Sequence, residues 1–280
     1  MRLRAARLKP MLRILIDLFD GEGGLRIRRW DAARLGALDD VGRWQFCGAE
    51  SIRDLALRLR AGEGLREVPT PRRLVADLRD YQRQGLAWLQ FLREHDLAGV
   101  LADDMGLGKT IQVLAHVLVE KEAGRLDRPA LIVMPTSLIH NWRAEIERFA
   151  PSLRVVDLYG AERGERFEEI ARQDLVLTTY PLVWRDQAVL ARHDYHLLVL
   201  DESQFVKTAG TKTSTAIRSL RARHRLCLTG TPLENHLGEL WAQFDFLLPG
   251  FLGSPTLPPE TIECCPPLLL CFSCTISQDS

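Results

Sequence analysis

The chain has 280 residues, 46% of them hydrophobic, 37 Lys+Arg against 37 Asp+Glu and no net charge. That is the make-up of an ordinary globular protein with room for one large domain or two small ones. Zero net charge gives no global argument for a nucleic-acid partner, and no run approaches the ~20 apolar residues that span a bilayer.

The first 80 residues carry 17 Lys+Arg and 12 Asp+Glu, an excess that arginine-rich composition explains without a partner. The apolar segment Met11–Phe19 is interrupted by Arg13 and Asp17 and has no cleavage site, so it is a poor signal peptide. Residues 1–76 read as a partial, mixed α/β accessory segment. Gly21-Glu-Gly-Gly24 and Gly62-Glu-Gly64 punctuate it, Leu25–Trp30 alternates like a strand, and Leu55–Leu59 suits a helix. Pro69 and Pro71 mark a linker.

From residue 77 to 253 apolar runs alternate with helical patterns. Strands are predicted near 98–102, 130–134, 154–158, 174–178, 196–200 and 225–228. Helices are predicted near 80–94, 109–122, 137–149, 163–172, 182–191, 212–222 and 236–247. This order implies a parallel sheet with helices on both faces. Residues 254–280 form a Pro- and Cys-rich tail, read as irregular and non-native, out-of-register or truncated translation with no evolved role. Its four cysteines are spaced too tightly to wrap a tetrahedral zinc ion, so no structural zinc is expected. Cys47 and Cys227 stand alone, as buried thiols of a reducing cytoplasm do.

Two segments carry chemistry. In Leu101-Ala-Asp-Asp-Met-Gly-Leu-Gly-Lys-Thr110 a strand runs into a glycine turn and then a helix. Gly106 and Gly108 let backbone N–H groups point inward, and the helix start adds free donors and partial positive charge, which together suit phosphate. Lys109 would reach the outer phosphates and the Thr110 hydroxyl would sit on Mg²⁺. The strict P-loop pattern fails at its first glycine, where Asp103 stands. The second segment, Leu197-Leu-Val-Leu-Asp-Glu-Ser-Gln204, is an apolar strand ending in paired carboxylates, 92 residues downstream of Lys109 when counted to Asp201. Ligands of parallel sheets gather beyond the carboxyl ends of strands. Asp201 would hold Mg²⁺, and Glu202 would orient or deprotonate the attacking water.

With these segments in place, the chain resembles the first RecA-like motor lobe of the Swi/Snf-like ATPases, superfamily-two helicase-like DNA translocases, of bacterial type. Asp103-Asp-Met-Gly-Leu-Gly-Lys-Thr110 is that family's phosphate loop, which accounts for Asp103 and draws in Met105, Gly106, Leu107 and Gly108 as nucleotide-binding residues. Leu78–Gly85 resembles the adenine-reading segment, with Gln82 on the adenine edge; the family usually has proline where Asp80 stands. Leu131–Trp142 and Leu175–Tyr180 resemble the two motifs that face DNA, implying contacts from Thr136, Ser137, Thr178, Thr179 and Tyr180 to the phosphate backbone. Thr136 or Ser137 would cap the helix 137–149 and leave its N-terminus to a phosphate. Asp201-Glu-Ser-Gln204 resembles the family's DEAD/DEAH-like box, Asp-Glu-Ala-Gln or Asp-Glu-Ala-His, with Ser203 as a small substitution, and adds Gln204 to the catalytic set. Leu226–Pro232 resembles the segment that couples nucleotide state to DNA grip, through Thr229, Gly230 and Thr231. Trp88, Trp142 and Trp241 read as packing residues.

The resemblance implies ATP and Mg²⁺ as cofactors, double-stranded DNA as partner, and a cytoplasmic, nucleoid-associated place in a bacterium. It puts the charge-stabilising arginines on a second lobe that nothing after Gly253 matches. The chain alone is therefore expected to bind ATP–Mg²⁺ weakly and hydrolyse it slowly. The competing expectation is a non-catalytic DNA- or protein-binding module with a vestigial ATP site.

Overall fold

The structure is a computed structural model. It describes residues 65–104, 106–206 and 211–230, with the short pieces 19–20, 24–25, 243, 246–247 and 271–272. The chain divides into two compact units, Met1–Leu65 with Cys264–Leu269, and Arg66–Glu263 with Leu270–Ser280. In the first, β1 (Phe19–Asp20) and β2 (Gly24–Leu25) pair antiparallel. The other expectations for residues 1–64 lie outside the described residues.

The second unit holds the sheet. Its helices and strands follow in order: α1 (Asp80–Glu94), β3 (Gly99–Leu101), α2 (Lys109–Glu122), β4 (Ala130–Met134), α3 (Ile139–Phe149), β5 (Val155–Asp157), β6 (Leu175–Thr179), α4 (Tyr180–Arg185), α5 (Gln187–Leu190), β7 (Asp194–Leu200), α6 (Lys212–Ser219) and β8 (Arg221–Leu228). A two-residue strand β9 (Cys271–Phe272), within the tail, pairs alongside β3. The strand order is β5-β6-β4-β7-β8-β3-β9, and every neighbouring pair is parallel. This is the α/β architecture expected. Every residue of β4 and β6 is buried, as are the last six of β7. Successive residues point to opposite faces, so both faces of the central sheet are covered.

Local chemistry explains the helices. α1 opens where the Gln82 side chain accepts the Arg79 backbone N–H at 3.0 Å, which is one arm of a capping box. It buries Leu86, Ala87, Leu89 and Leu92. α2 is apolar nearly all round and buried along almost its whole length, from Ile111 to Leu118. The backbone N–H groups of Arg72 and Arg73 donate to the Glu122 carboxylate (3.2 and 2.9 Å), and the Val75 N–H donates to the Phe149 carbonyl (2.8 Å). These bonds tie the segment after Pro71 to the lobe.

Several boundaries differ from expectation. The predicted helix 163–172 is a 3₁₀ segment, Ala161–Arg172, with Ile170 its one buried residue. Its two large apolar side chains, Phe167 and Ile170, are three apart and match the 3₁₀ repeat, too few for an α-helical stripe. The predicted helix 182–191 starts at Tyr180 and breaks at Asp186, whose carboxylate takes Arg163 at 2.7 and 3.0 Å. The predicted helix 212–222 stops at Ser219, and β8 begins at Arg221 rather than 225 because Arg221 and Ala222 already pair with Asp194 and Tyr195. Of the predicted helix 236–247, only 243, 246 and 247 are described, as helical.

A polar cluster is buried between α1, α2 and the starting halves of β7 and β8. Glu120, 0% exposed, accepts from Gln90 (3.1 Å), from Arg125 (2.6 Å) and, at 3.1 Å, pairs with His196. Gln90 also reaches His116 Nδ1 at 2.9 Å, and the His196 and His224 rings meet edge-on at 5.4 Å.

Candidate nucleotide site

β7, β8 and β3 lie side by side, so the segments leaving their carboxyl ends meet. The Thr229 N–H, just past β8, donates to the Leu101 carbonyl at 3.1 Å, fixing the β8 exit beside the phosphate loop. Gly106 and Gly108 hold the left-handed backbone expected of them, at φ 81° and 80°. A Cβ on Gly108 would stand 2.6 Å from Gln82 Nε2, so the turn is closed against α1. Gln82 Nε2 and the Tyr81 hydroxyl both donate to the Leu107 carbonyl, at 3.1 and 3.0 Å. The adenine-reading segment and the phosphate loop are therefore in contact. Asp103 is buried, with its carboxylate accepting Gln112 Nε2 at 2.8 Å, so it shapes the loop from within. The Lys109 ammonium curls over the loop and donates to the Asp103 and Asp104 carbonyls, at 2.7 and 3.2 Å. Met105 lies outside the described residues.

Asp201 ends β7 and is 6% exposed. Each carboxylate oxygen takes one donor. Trp142 Nε1 gives to Oδ2 at 2.7 Å, and the Glu202 backbone N–H gives to Oδ1 at 2.9 Å. Burial pushes the Asp201 carboxyl up from its ordinary value. The Trp142 hydrogen bond and the Lys109 charge pull down, and the Glu202 charge pushes up. Glu202 has a left-handed backbone, φ 47°, uncommon for a non-glycine residue. Its carboxylate accepts Gln204 Nε2 at 2.7 Å, and the Thr229 hydroxyl donates to Gln204 Oε1 at 3.2 Å. The carboxylate pair is thus wired to the segment predicted to couple nucleotide state to DNA. Gly230 follows Thr229; Thr231 lies outside the described residues. Glu145 on α3 completes the wall: burial raises its carboxyl, the Thr110 side chain beside it lowers it, and the Asp201 charge raises it again.

The donor set fits a magnesium nucleotide. A turn with two left-handed glycines, an ammonium, a helix start, a hydroxyl and a carboxylate already oriented by two N–H groups stand together. Sequence reasoning missed Trp142 and Glu145, one turn apart on α3. The available signal was weak: a buried indole needs an acceptor for its N–H.

The nucleic-acid residues divide. Thr136 and Ser137 are exposed on a 3₁₀ turn, Thr136–Leu138, before α3. Neither caps the helix, because the turn itself winds into Ile139. Thr178, Thr179 and Tyr180 are buried, at 0%, 1% and 6% exposure. The Tyr180 hydroxyl donates to the Asp201 carbonyl at 2.7 Å, and its ring stacks with Phe205. These three side chains turn into the lobe, where the resemblance implied an outward face.

A parallel sheet with a phosphate loop after one strand and paired carboxylates two strands away is the design of a RecA-like P-loop NTPase lobe. More narrowly, the chain belongs to the SNF2-related domain family, whose description matches residues 81–260. It is 45% identical over 215 residues to YwqA of Bacillus subtilis, named as an ATP-dependent helicase/translocase, covering 76% of this chain and 23% of that one. It is 41% identical over 200 residues to the TATA-binding protein-associated factor mot1 of Schizosaccharomyces pombe, covering 67% of this chain and 10% of that one. The Sulfolobus solfataricus SWI2/SNF2 ATPase core, solved in complex with dsDNA, superposes with a TM-score of 0.63 at 36% identity, over 68% of this chain and 39% of that one. The chain thus spans about a quarter or less of the curated relatives' length.

Proposed function

We propose that this chain is the ATP–Mg²⁺-binding lobe of a helicase-like, DNA-dependent ATPase and translocase. One observation carries the reading. The loop bearing Lys109 and Thr110 follows β3 and the carboxylates Asp201 and Glu202 follow β7, both leaving the carboxyl ends of their strands, with only β8 between them and its exit held to the end of β3 by the Thr229 N–H on the Leu101 carbonyl at 3.1 Å. The backbone N–H groups of the loop and the Lys109 ammonium would receive the phosphates. Thr110 and Asp201 would hold the metal, which when bound neutralises phosphate charge. Glu202, braced by Gln204, would orient the water. Gln82 would leave its loop carbonyl to meet the adenine edge.

Double-stranded DNA is the proposed partner, supported by the solved archaeal core and by the exposed Thr136 and Ser137. Turnover by this lobe alone is proposed to be slow, since the resemblance puts the arginines on a second lobe, and such an arginine is worth roughly 10³–10⁵ in rate. Calorimetry with ATP and MgCl₂ tests the reading. Wild type should bind, Lys109→Ala should not, and Glu202→Gln should bind without residual hydrolysis. Wild type that fails to bind, or Lys109→Ala that binds equally well, overturns it.

A further inference from the structure

Asp201 is held by more than its own strand. Two side chains from elsewhere in the lobe each give it one hydrogen bond of 2.7 Å, and each grips a different part of the residue. The Trp142 indole N–H takes carboxylate Oδ2, and the Tyr180 hydroxyl takes the backbone carbonyl. Trp142 is 2% exposed and Tyr180 6%, so both bonds are shielded from water. Trp142 sits on α3, which follows β4; Tyr180 opens α4, which follows β6. β4 is the sheet neighbour of both β6 and β7, which puts both donors within reach of the β7 exit.

We infer that Trp142 and Tyr180 are positioning residues for the metal-binding carboxylate: the indole fixes how the Asp201 carboxylate is turned, and the phenol fixes the backbone that carries it. This deepens the nucleotide reading above and rests on it. The physical case is that of outer-shell partners in metal sites. A carboxylate ligand performs only when its rotation is set in advance, and loss of the group that sets it costs roughly 10–100-fold in metal affinity. With Oδ2 occupied by the indole and Oδ1 by the Glu202 N–H, the Asp201 carboxylate has little rotational freedom left to lose when a metal arrives.

The test separates positioning from packing by splitting nucleotide affinity into metal-dependent and metal-independent parts. Affinity for ADP is measured on the full chain in MgCl₂ and again in EDTA, for wild type, Trp142→Phe, Tyr180→Phe and Asp201→Asn. Trp142→Phe should cut the ratio of the two affinities by roughly 10–100-fold and leave the EDTA value unchanged. Tyr180→Phe, nearly isosteric, should cut the ratio in the same direction by a smaller factor and keeps the test open if Trp142→Phe does not fold. Adding Trp142→Phe to Asp201→Asn should lower the ratio no further, because the indole acts through that carboxylate. An unchanged ratio in both phenylalanine variants overturns the inference, and so does an equal loss with and without metal, which is the mark of packing alone. A wild type whose ADP affinity ignores magnesium overturns the underlying nucleotide reading instead.

Discussion

Acid should act on this lobe through its buried imidazoles before the Glu120 carboxylate is reached. His116 is wholly enclosed, and burial pushes its imidazole down to about 3, against an opposing pull from the Glu120 charge. Burial and the neighbouring His196 push His224 down to about 4. Unfolded, each would titrate near 6.5. The unfolded chain therefore takes up protons that the folded chain refuses, so the stability is full above pH 6.5 and is lost as pH falls from there toward 4 and 3. Between pH 7.5 and 5.5 the unfolded imidazole goes from about one-tenth to about nine-tenths protonated, which is about 1.4 kcal/mol for His116 and at most the same again for His224. The two imidazoles together then withdraw about 2–3 kcal/mol, a large share of the 5–15 kcal/mol that holds a typical domain together, and the raised Asp201 and Glu145 carboxyls, which take up protons first in the folded state, oppose part of that loss. Glu120 does not blur the window. Burial alone would raise its carboxyl, but hydrogen bonds from His196, Arg125 and Gln90 hold it below the usual range, so its loss begins only under about pH 4.5. Urea unfolding followed by tryptophan fluorescence across this pH range gives the slope, and His116→Gln should remove about half of it. Equal stability at pH 7.5 and 5.5, or a His116→Gln variant with the full slope, would refute the reasoning.

Gly108→Ala should weaken both fold and nucleotide binding, since alanine at φ 80° costs about 1–2 kcal/mol before its Cβ displaces Gln82; a melting temperature and ADP affinity equal to wild type would count against the loop geometry. Asp174→Asn should cost about 3 kcal/mol, because this buried carboxylate serves Lys121 at 2.8 Å and the Arg154 N–H at 2.7 Å, and denaturant midpoints measure it. Glu202→Gly should raise stability by relieving the left-handed backbone while abolishing hydrolysis, two effects that melting and phosphate-release assays read separately.

The limits of α1 and α2 were legible because each is a long amphipathic or apolar stretch with a definite start. The buried strands were legible because β4, β6 and β7 each hold an unbroken apolar run, 130–134, 175–177 and 197–200, covered on both faces. The phosphate loop and the carboxylate pair were legible because each is contiguous. What the sequence concealed depends on adjacency in space. Trp142 and Asp201 are 59 residues apart, and Glu120 and His196 are 76 apart. Nothing local marks Trp142 as anything but a packing residue until α3 is seen beside the β7 exit. The inward turn of Thr178 and Thr179 was hidden in the same way: period-2 alternation says nothing when a strand is covered on both faces. The break at Asp186 needed Arg163, which sits in a different segment.

The Glu122 staple has a practical consequence for where this folding unit starts. The carboxylate that ends α2 takes the main-chain N–H groups of Arg72 and Arg73, and Leu74 and Leu78 are buried in the lobe. A recombinant fragment beginning at residue 77 would strip Glu122 of both donors, free the Phe149 carbonyl from Val75 and discard Leu74. One beginning near residue 66 keeps all of them, and its melting temperature should exceed that of the fragment beginning at residue 77.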